Sequence, residues 1–212
     1  MRSCCVLFAL LSLAAAAGAQ SLDVPSGTYA NDPTHSYVTF SYKHQGLSYP
    51  LLRAERVQGE LELDADSVSN SQVAIAIATD SIRSNVDYFD EELASPKFFN
   101  AERFPYITFV SERIEWRADN TGTLHGQLTI RDRTEPISLE VRINGAKPHP
   151  FSGNPVVGAS ASGSLSRSAF GVDRFVPAVS DQVDVAIEME FGLGSNDDAR
   201  DAAALARGGA EQ

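Results

Sequence analysis

The chain has 212 residues, of which 43% are hydrophobic and 21% are charged, and its formal net charge at pH 7 is −11. A balance this acidic lacks the basic surface that binds a phosphate backbone, so we expect no nucleic-acid partner, and adhesion to anionic membranes is disfavoured for the same reason. The length suits one domain with a substantial core.

The first residues have the pattern of an export signal. Arg2 supplies a cation, an apolar run covers 6–17, and the small residues 17–19 follow. This layout predicts a cleaved secretory signal peptide over 1–19. The apolar run is shorter than the roughly 20 residues that span a bilayer, so stable membrane insertion is not expected.

Cysteines occur only at Cys4 and Cys5, before the apolar run. A lipoprotein is the alternative to a soluble mature protein, but the lipid-modified cysteine of a lipoprotein begins the mature chain, and these two do not fit that position. Cleavage removes both thiols, which excludes disulfides, thiolate metal sites and cysteine nucleophiles from the mature chain. The domain over 20–194 must therefore be held together by its own core.

Alternating apolar and polar residues dominate the chain from Ser36 to Phe191. Period-two runs predict strands with one buried face, and turn residues between neighbouring runs favour antiparallel hairpins. Eight such runs are present: 38–44, 57–63, 73–77, 106–116, 124–130, 137–143, 157–165 and 183–191. Closure removes the open edges of a long sheet, so we predict an all-β, eight-stranded antiparallel barrel, with a two-sheet sandwich as the alternative. Such a barrel is wide enough to hold one small ligand.

Two segments fall outside this pattern. Residues 84–100 begin with capping residues and show helical spacing, which predicts one short helical insertion covering an end of the barrel. Residues 195–212 are polar and alanine-rich without an apolar stripe, so we predict a disordered or transiently helical tail.

Side-chain size varies strongly along the predicted strands. Aromatic residues cluster over 98–109, whereas Ala74, Ala76 and Ala78 share one face of the third run and small residues fill 158–164. Small residues that point inward would leave room for an elongated apolar cavity. The alternative is that they relieve crowding where strands bend.

Aromatic and cationic residues form the candidate ligand-binding set. Arg167 and Arg174, with Lys97, are predicted to flank the cavity, where cations suit an amphiphile with an anionic head, such as a prenyl phosphate or fatty acid. In the alternative, each arginine pairs with a neighbouring acid such as Asp173 or Asp181. The predicted ligand-binding residues are Phe40, Tyr42, Phe98, Phe99, Phe109, Trp116, Arg167, Phe170 and Arg174.

No motif in the chain predicts catalysis, a metal or a cofactor. The four histidines lack the spacing of metal ligands, and the glycines over 153–163 lie between strands instead of before a helix. We therefore predict a protein that is not an enzyme. Two alternatives stay open: a hydrolase or metal-dependent enzyme that uses His35 or His44, and a protein-binding accessory without a stable ligand.

Several segments, in the right order between Gly27 and Phe191, resemble the YceI-like family: 32–36, 80–82, 95–105, 107–111, 126–131 and 166–171. The resemblance implies a lipocalin-like extended barrel in the periplasm that binds a polyisoprenoid or similar long-chain lipid in its lumen, without catalysis, and links it to stress responses. A homodimer is compatible with this assignment. The chain departs from the family pattern at Asp132-Arg133 and over 46–56, which we expect to be a loop.

Overall fold

The computed structural model describes residues 21–209. The predicted signal peptide over 1–19 lies outside the described residues. Ten strands and two α-helices follow one another along the chain: β1 (Gly27–His44), β2 (Leu51–Ala54), β3 (Val57–Leu63), β4 (Gln72–Ala78), β5 (Ile82–Arg83), α1 (Asp87–Ala94), β6 (Tyr106–Trp116), β7 (Thr121–Ile130), β8 (Arg133–Pro148), β9 (Pro155–Ser166), β10 (Val179–Leu193) and α2 (Asp197–Gly209).

Eight of these strands close into an antiparallel barrel. They are hydrogen-bonded in the order β10, β9, β8, β7, β6, β4, β3, β1, and a further pairing of β1 with β10 joins the two ends. This closure confirms the predicted eight-stranded barrel and removes the sandwich alternative. The predicted short helical insertion is also present, as α1.

The two remaining strands extend the barrel at one end. The first four residues of β1 pair with β3, whereas Val38–Ser41 pair with β2, and β2 in turn pairs with β5. The expected loop over 46–56 therefore contains a strand. Asn31 holds the irregular part of β1 between the two pairings, because its buried side chain bonds Ser36 Oγ, Val57 O and the Gly59 amide at 2.9 Å each.

Glycines on the inner face allow larger neighbours to lie flat against the barrel wall. A Cβ at Gly126 would stand 2.6 Å from the Phe109 ring, and one at Gly122 would stand 2.7 Å from the Trp116 indole. These distances are shorter than van der Waals contact, and the carbonyl oxygens of Val110 and Glu115 are also too close, so a side chain at either glycine would displace backbone as well as the ring. The two aromatic residues therefore cover the wall instead of filling the barrel.

The C-terminal segment differs from the sequence-based prediction. Residues 197–209 form α2, in which Ala199, Ala203 and Ala206 are fully buried, and the last two pack with Ala74 of β4. Asn196 caps the helix, since its Oδ1 accepts a hydrogen bond of 2.8 Å from the Ala199 amide. Over 197–209 the chain thus forms a packed helix where a disordered or transiently helical tail was expected, because three alanines at helical spacing form a stripe small enough to lie against the sheet.

The same contact corrects the role assigned to the alanines of β4. Val73, Ile75 and Ile77 of this strand line the interior, so Ala74 and Ala76 point to the outside. Their small size lets α2 approach the outer wall and leaves no extra room within the barrel. Within residues 21–209, no helix is long and apolar enough to cross a membrane.

Candidate functional site

A cavity of about 710 Å³ occupies the interior of the barrel. This volume lies within the range of small-molecule sites in proteins. Its wall is built from the inward positions of the barrel strands together with residues of α1, and almost all of these side chains are aliphatic or aromatic. An apolar cavity of this size suits a ligand that is mostly hydrocarbon.

Strand β9 contributes small side chains to the cavity wall. Its inward residues Ala159, Ala161 and Gly163 pair with Met189, Ile187 and Val185 of β10. Of the small residues over 158–164, Ala159, Ser160, Ala161 and Ser164 border the lumen, whereas the alanines of the third run do not.

All nine predicted ligand-binding residues lie on the cavity wall. Six of them belong to one apolar cluster next to α1: Phe40, Tyr42, Phe98, Phe99, Phe109 and Phe170. Trp116 lies at the other end of β6, ten positions after Tyr106. At about 3.3 Å per residue, it is roughly 33 Å from the α1 end of that strand. Whether these residues bind a ligand stays a prediction.

Phe98 and Phe170 form part of the cavity wall at the α1 end. Phe170 is fully buried, and Phe98 meets the ring of Phe89 edge to face, with ring centroids 6.1 Å apart. The ring of Phe175 lies 6.5 Å from that of Phe98. These packed rings make the α1 end an ordered part of the core as well as a part of the cavity wall.

Arg167 is a buried cation at this end. Its guanidinium donates four hydrogen bonds to backbone carbonyls: Nε to Ser180 at 2.8 Å, Nη1 to Val172 at 2.6 Å and to Arg174 at 2.9 Å, and Nη2 to Val179 at 3.2 Å. Burial lowers its pKa, and Asp181 and Asp173 oppose that shift from a distance.

No carboxylate among residues 21–209 lies within 4.0 Å of the Arg167 guanidinium. Asp181 instead accepts hydrogen bonds from Ser166 and Ser168. The alternative, in which Arg167 forms an ion pair with a neighbouring acid, is therefore not what the described residues show: its direct partners are backbone carbonyls, and Asp181 and Asp173 act only from a distance. Burial raises the pKa of the Tyr42 phenol, and the nearby positive charge of Arg167 acts against that rise.

The other predicted cations are at the surface. Arg174 lines the cavity but is two-fifths exposed, stacks over the Phe175 ring at 4.5 Å, and has its Nε 4.0 Å from Glu92 Oε1. Lys97 Nζ lies 3.5 Å from the same carboxylate and does not border the cavity. Of the three cations, Arg167 is therefore the one enclosed by the protein.

One polar atom on the lumen wall has no partner within the described chain. The indole Nε1 of Trp116 is buried without a hydrogen-bond acceptor, at the end of the cavity remote from Arg167. A buried N–H group without an acceptor costs free energy.

The histidines do not converge on a catalytic centre. His35 bonds Asp32 at 2.8 Å on the surface, whereas His44 borders the cavity nine positions further along β1. Partial burial acts to raise the pKa of Asp32, but hydrogen bonds from His35 and Thr34 lower it to about 2. Across residues 21–209, no three His, Cys, Asp or Glu side chains gather in a way that would hold a metal ion.

Several cavity residues were missed at the level of sequence. Leu52 belongs to the segment expected to be a loop, Phe89 to α1, and Phe175 to the turn before β10. The alternation of Leu52 with Ala54 could have indicated the short strand β2, but nothing local distinguishes Phe175 from an ordinary turn residue.

Comparison with known proteins agrees with this architecture. Protein YceI of Salmonella arizonae is 28% identical over 156 residues, which cover 74% of this chain and 81% of the relative. The crystal structure of Burkholderia cenocepacia BcnA matches with a TM-score of 0.68 at 20% identity, covering 76% of this chain and 98% of that one.

Two further likenesses are informative. The Campylobacter jejuni YCEI protein matches with a TM-score of 0.64 at 23% identity, over 72% of this chain and 90% of that one. A domain from Saccharophagus degradans described as polyisoprenoid-binding matches with a TM-score of 0.61 at 10% identity, over 79% and 99% of the two chains. The model of the YceI-like domain matches residues 29–191, which is most of the chain. The chain therefore belongs to the YceI-like domain family.

Proposed function

We propose that this protein is a periplasmic carrier or storage protein that holds a polyisoprenoid or similar long-chain amphiphile in its barrel. The observation that carries the proposal is the apolar cavity of about 710 Å³. A structural neighbour described as a polyisoprenoid-binding domain supports the choice of a polyisoprenoid as the ligand. Each buried CH2 group contributes about 0.8 kcal/mol, so a tail of roughly 20 carbons gives on the order of 16 kcal/mol before ordering costs.

The polar head of the ligand is proposed to lie at the α1 end. Arg167 has four carbonyl partners there, and among the described residues no carboxylate lies within 4.0 Å of it, so a carboxylate or phosphate head group would accept a hydrogen bond from its remaining Nη2–H. The Tyr42 hydroxyl offers a second polar contact near the same charge. The tail would then extend past Phe109 towards Trp116.

The compartment and the absence of catalysis belong to the same proposal. Residues 1–19 are proposed to be removed as a signal peptide, which leaves the barrel domain over 20–194 in the periplasm. Among the described residues, no hydroxyl on the lumen wall is hydrogen-bonded to a histidine, and the protein is proposed to bind without reaction.

Native mass spectrometry of the mature protein, purified from a periplasmic extract without detergent, tests this function. Organic extraction then identifies what was bound. A stoichiometric long-chain lipid is the expected result, and a protein without bound lipid would contradict the carrier role. Trp116 is the only tryptophan and borders the lumen, so its fluorescence should change when the extracted lipid is returned to the stripped protein.

A further inference from the structure

Exposed apolar side chains surround the mouth of the cavity beside α1. Leu51, Val86, Tyr88 and Phe175 line the cavity, and yet they are 62%, 41%, 75% and 54% exposed. Leu47, Tyr49 and Val176 are exposed next to them in sequence. We call these seven side chains the hydrophobic rim.

The rim is a concentrated feature of the surface. Eleven large hydrophobic side chains are exposed within residues 21–209, and seven of them belong to the rim. They come from three segments that meet at one mouth. The segment after β1 bonds the segment before β10 through Gln45 N and Ala178 O at 3.1 Å, and Phe175 contacts Phe98 beside α1. An apolar patch of this kind on a soluble protein marks an interaction surface.

The shape of the rim favours a lipid surface as its partner. A ring of apolar side chains around an opening needs a partner that is apolar across the whole ring, and the ligand must pass through its centre. A long-chain lipid that crosses such a contact never exposes its tail to water, which removes the main cost of transfer. Tyr49 and Tyr88 suit the boundary between head groups and acyl chains, because each ring has an apolar body and a polar tip.

The charges beside the rim exclude an electrostatic mode of membrane binding. Asp87, Asp90 and Glu91 of α1 lie next to Tyr88 in sequence, and the side chains of Lys97 and Arg174 are both near Glu92. Lys43, which lies near Gly46 and Pro177, is a single further cation, so among the described residues the mouth has no cluster of free cations for anionic head groups. Adsorption must depend on apolar burial, so it should occur on zwitterionic lipid and be insensitive to salt.

We propose that the hydrophobic rim docks reversibly on the surface of a lipid bilayer and that the lumen loads and unloads its ligand there. This inference rests on the proposed function, because it names the source from which the carrier takes its cargo. Docking itself requires only the rim.

Flotation with phosphatidylcholine vesicles tests the proposal. The double variant Leu47→Glu, Tyr49→Ser changes two rim residues that do not border the cavity, so the lipid-stripped variant should bind lipid added in solution as well as the parent does. Its binding to vesicles should fall by about tenfold or more, because two apolar anchors are lost and a charge is added. The control Phe151→Ser removes an even more exposed ring in the β8–β9 turn, at the other end of the barrel, and should bind like the parent.

Each result decides one of the two proposals. Equal flotation of the parent and the rim variant, or no flotation of the parent, would overturn bilayer docking. Binding that requires phosphatidylglycerol and disappears in high salt would also overturn bilayer docking. So would a parent protein that does not bind vesicles but binds a periplasmic protein through the rim. If the parent floats with vesicles through the rim but neither the parent nor any variant contains lipid as purified, docking is supported and the carrier function is refuted.

Discussion

Leucine in place of both Ala159 and Ala161 should fill part of the lumen and displace the ligand. Both alanines point inward from β9, where they pair with Met189 and Ile187. Each substitution adds three CH2-sized groups worth about 0.8 kcal/mol apiece when buried, less about 0.5–1 kcal/mol of side-chain entropy. The ligand-free barrel should therefore gain about 1.5 kcal/mol per substitution, or about 3 kcal/mol for the pair.

Denaturant unfolding of the lipid-stripped protein measures that gain, and extraction of the protein as purified measures the bound lipid. The double variant should retain less lipid than the parent, or a shorter chain. Ser162→Leu is the matched control, because Ser162 follows Ala161 in sequence and points outward. Undiminished retention of the same lipid, together with a loss of stability in the stripped protein, would refute the assignment of this face to an open lumen.

Three further predictions concern other parts of the molecule. Arg167→Met should lower the free energy of unfolding by about 2–4 kcal/mol, because four carbonyls lose their donor, and it should also reduce retention of acid-headed lipids. The control Arg174→Met changes an exposed arginine and should lower the free energy of unfolding by less than about 1 kcal/mol. Ala203→Glu should detach α2 at a cost of about 2 kcal/mol, seen as faster amide exchange in α2 alone, whereas the exposed Ala204→Glu should leave α2 bound. The hydrogen bond to Asp32 raises the pKa of His35 above 6.5. The stabilisation of the fold by this contact is therefore complete below pH 6.5 and is lost as the pH rises through the raised pKa. His35→Asn should remove this part of the pH dependence of unfolding.

Each of these has an outcome that would count against it. Equal loss of acid-headed and neutral lipids in Arg167→Met would remove the head-group role of Arg167 and leave only a structural one. Uniform loss of amide protection over barrel and helix in Ala203→Glu would show that α2 is part of the core. Parallel stability profiles for the parent and His35→Asn across pH 6–8 would mean that the Asp32 contact is without effect on folding.

The barrel strands were predictable because inward and outward residues alternate along each of them. Alternation does not say which face is inside, and for β4 the choice of the alanine face was wrong. The presence of Ile75 and Ile77 on the other face was the signal to weigh, since large aliphatic side chains gain most from burial. The helix α2 escaped prediction for a related reason, because alanine adds little to a hydrophobic pattern while allowing the closest approach of helix to sheet.

The partners of Arg167 lay beyond the reach of sequence reasoning. The sequence offered acids as counterions, but four carbonyls from the segment 172–180 surround the guanidinium. Backbone carbonyls occur at every residue, so their convergence depends on the path of the chain and on no local pattern. The exposed apolar rim is similar, since its three segments are distant in sequence and meet only in the folded barrel.

The pairing of β1 with β10 has a consequence for how the molecule folds. Thr39 donates to Ala186 across this seam at 3.1 Å, and the two residues are 147 positions apart. Contacts between such distant residues form slowly because a long loop must first be closed. Until they form, the chain is an open sheet with two unpaired edges and an uncovered apolar face. Closure of the β1–β10 seam is therefore the step that separates the lumen from solvent along the whole length of the barrel.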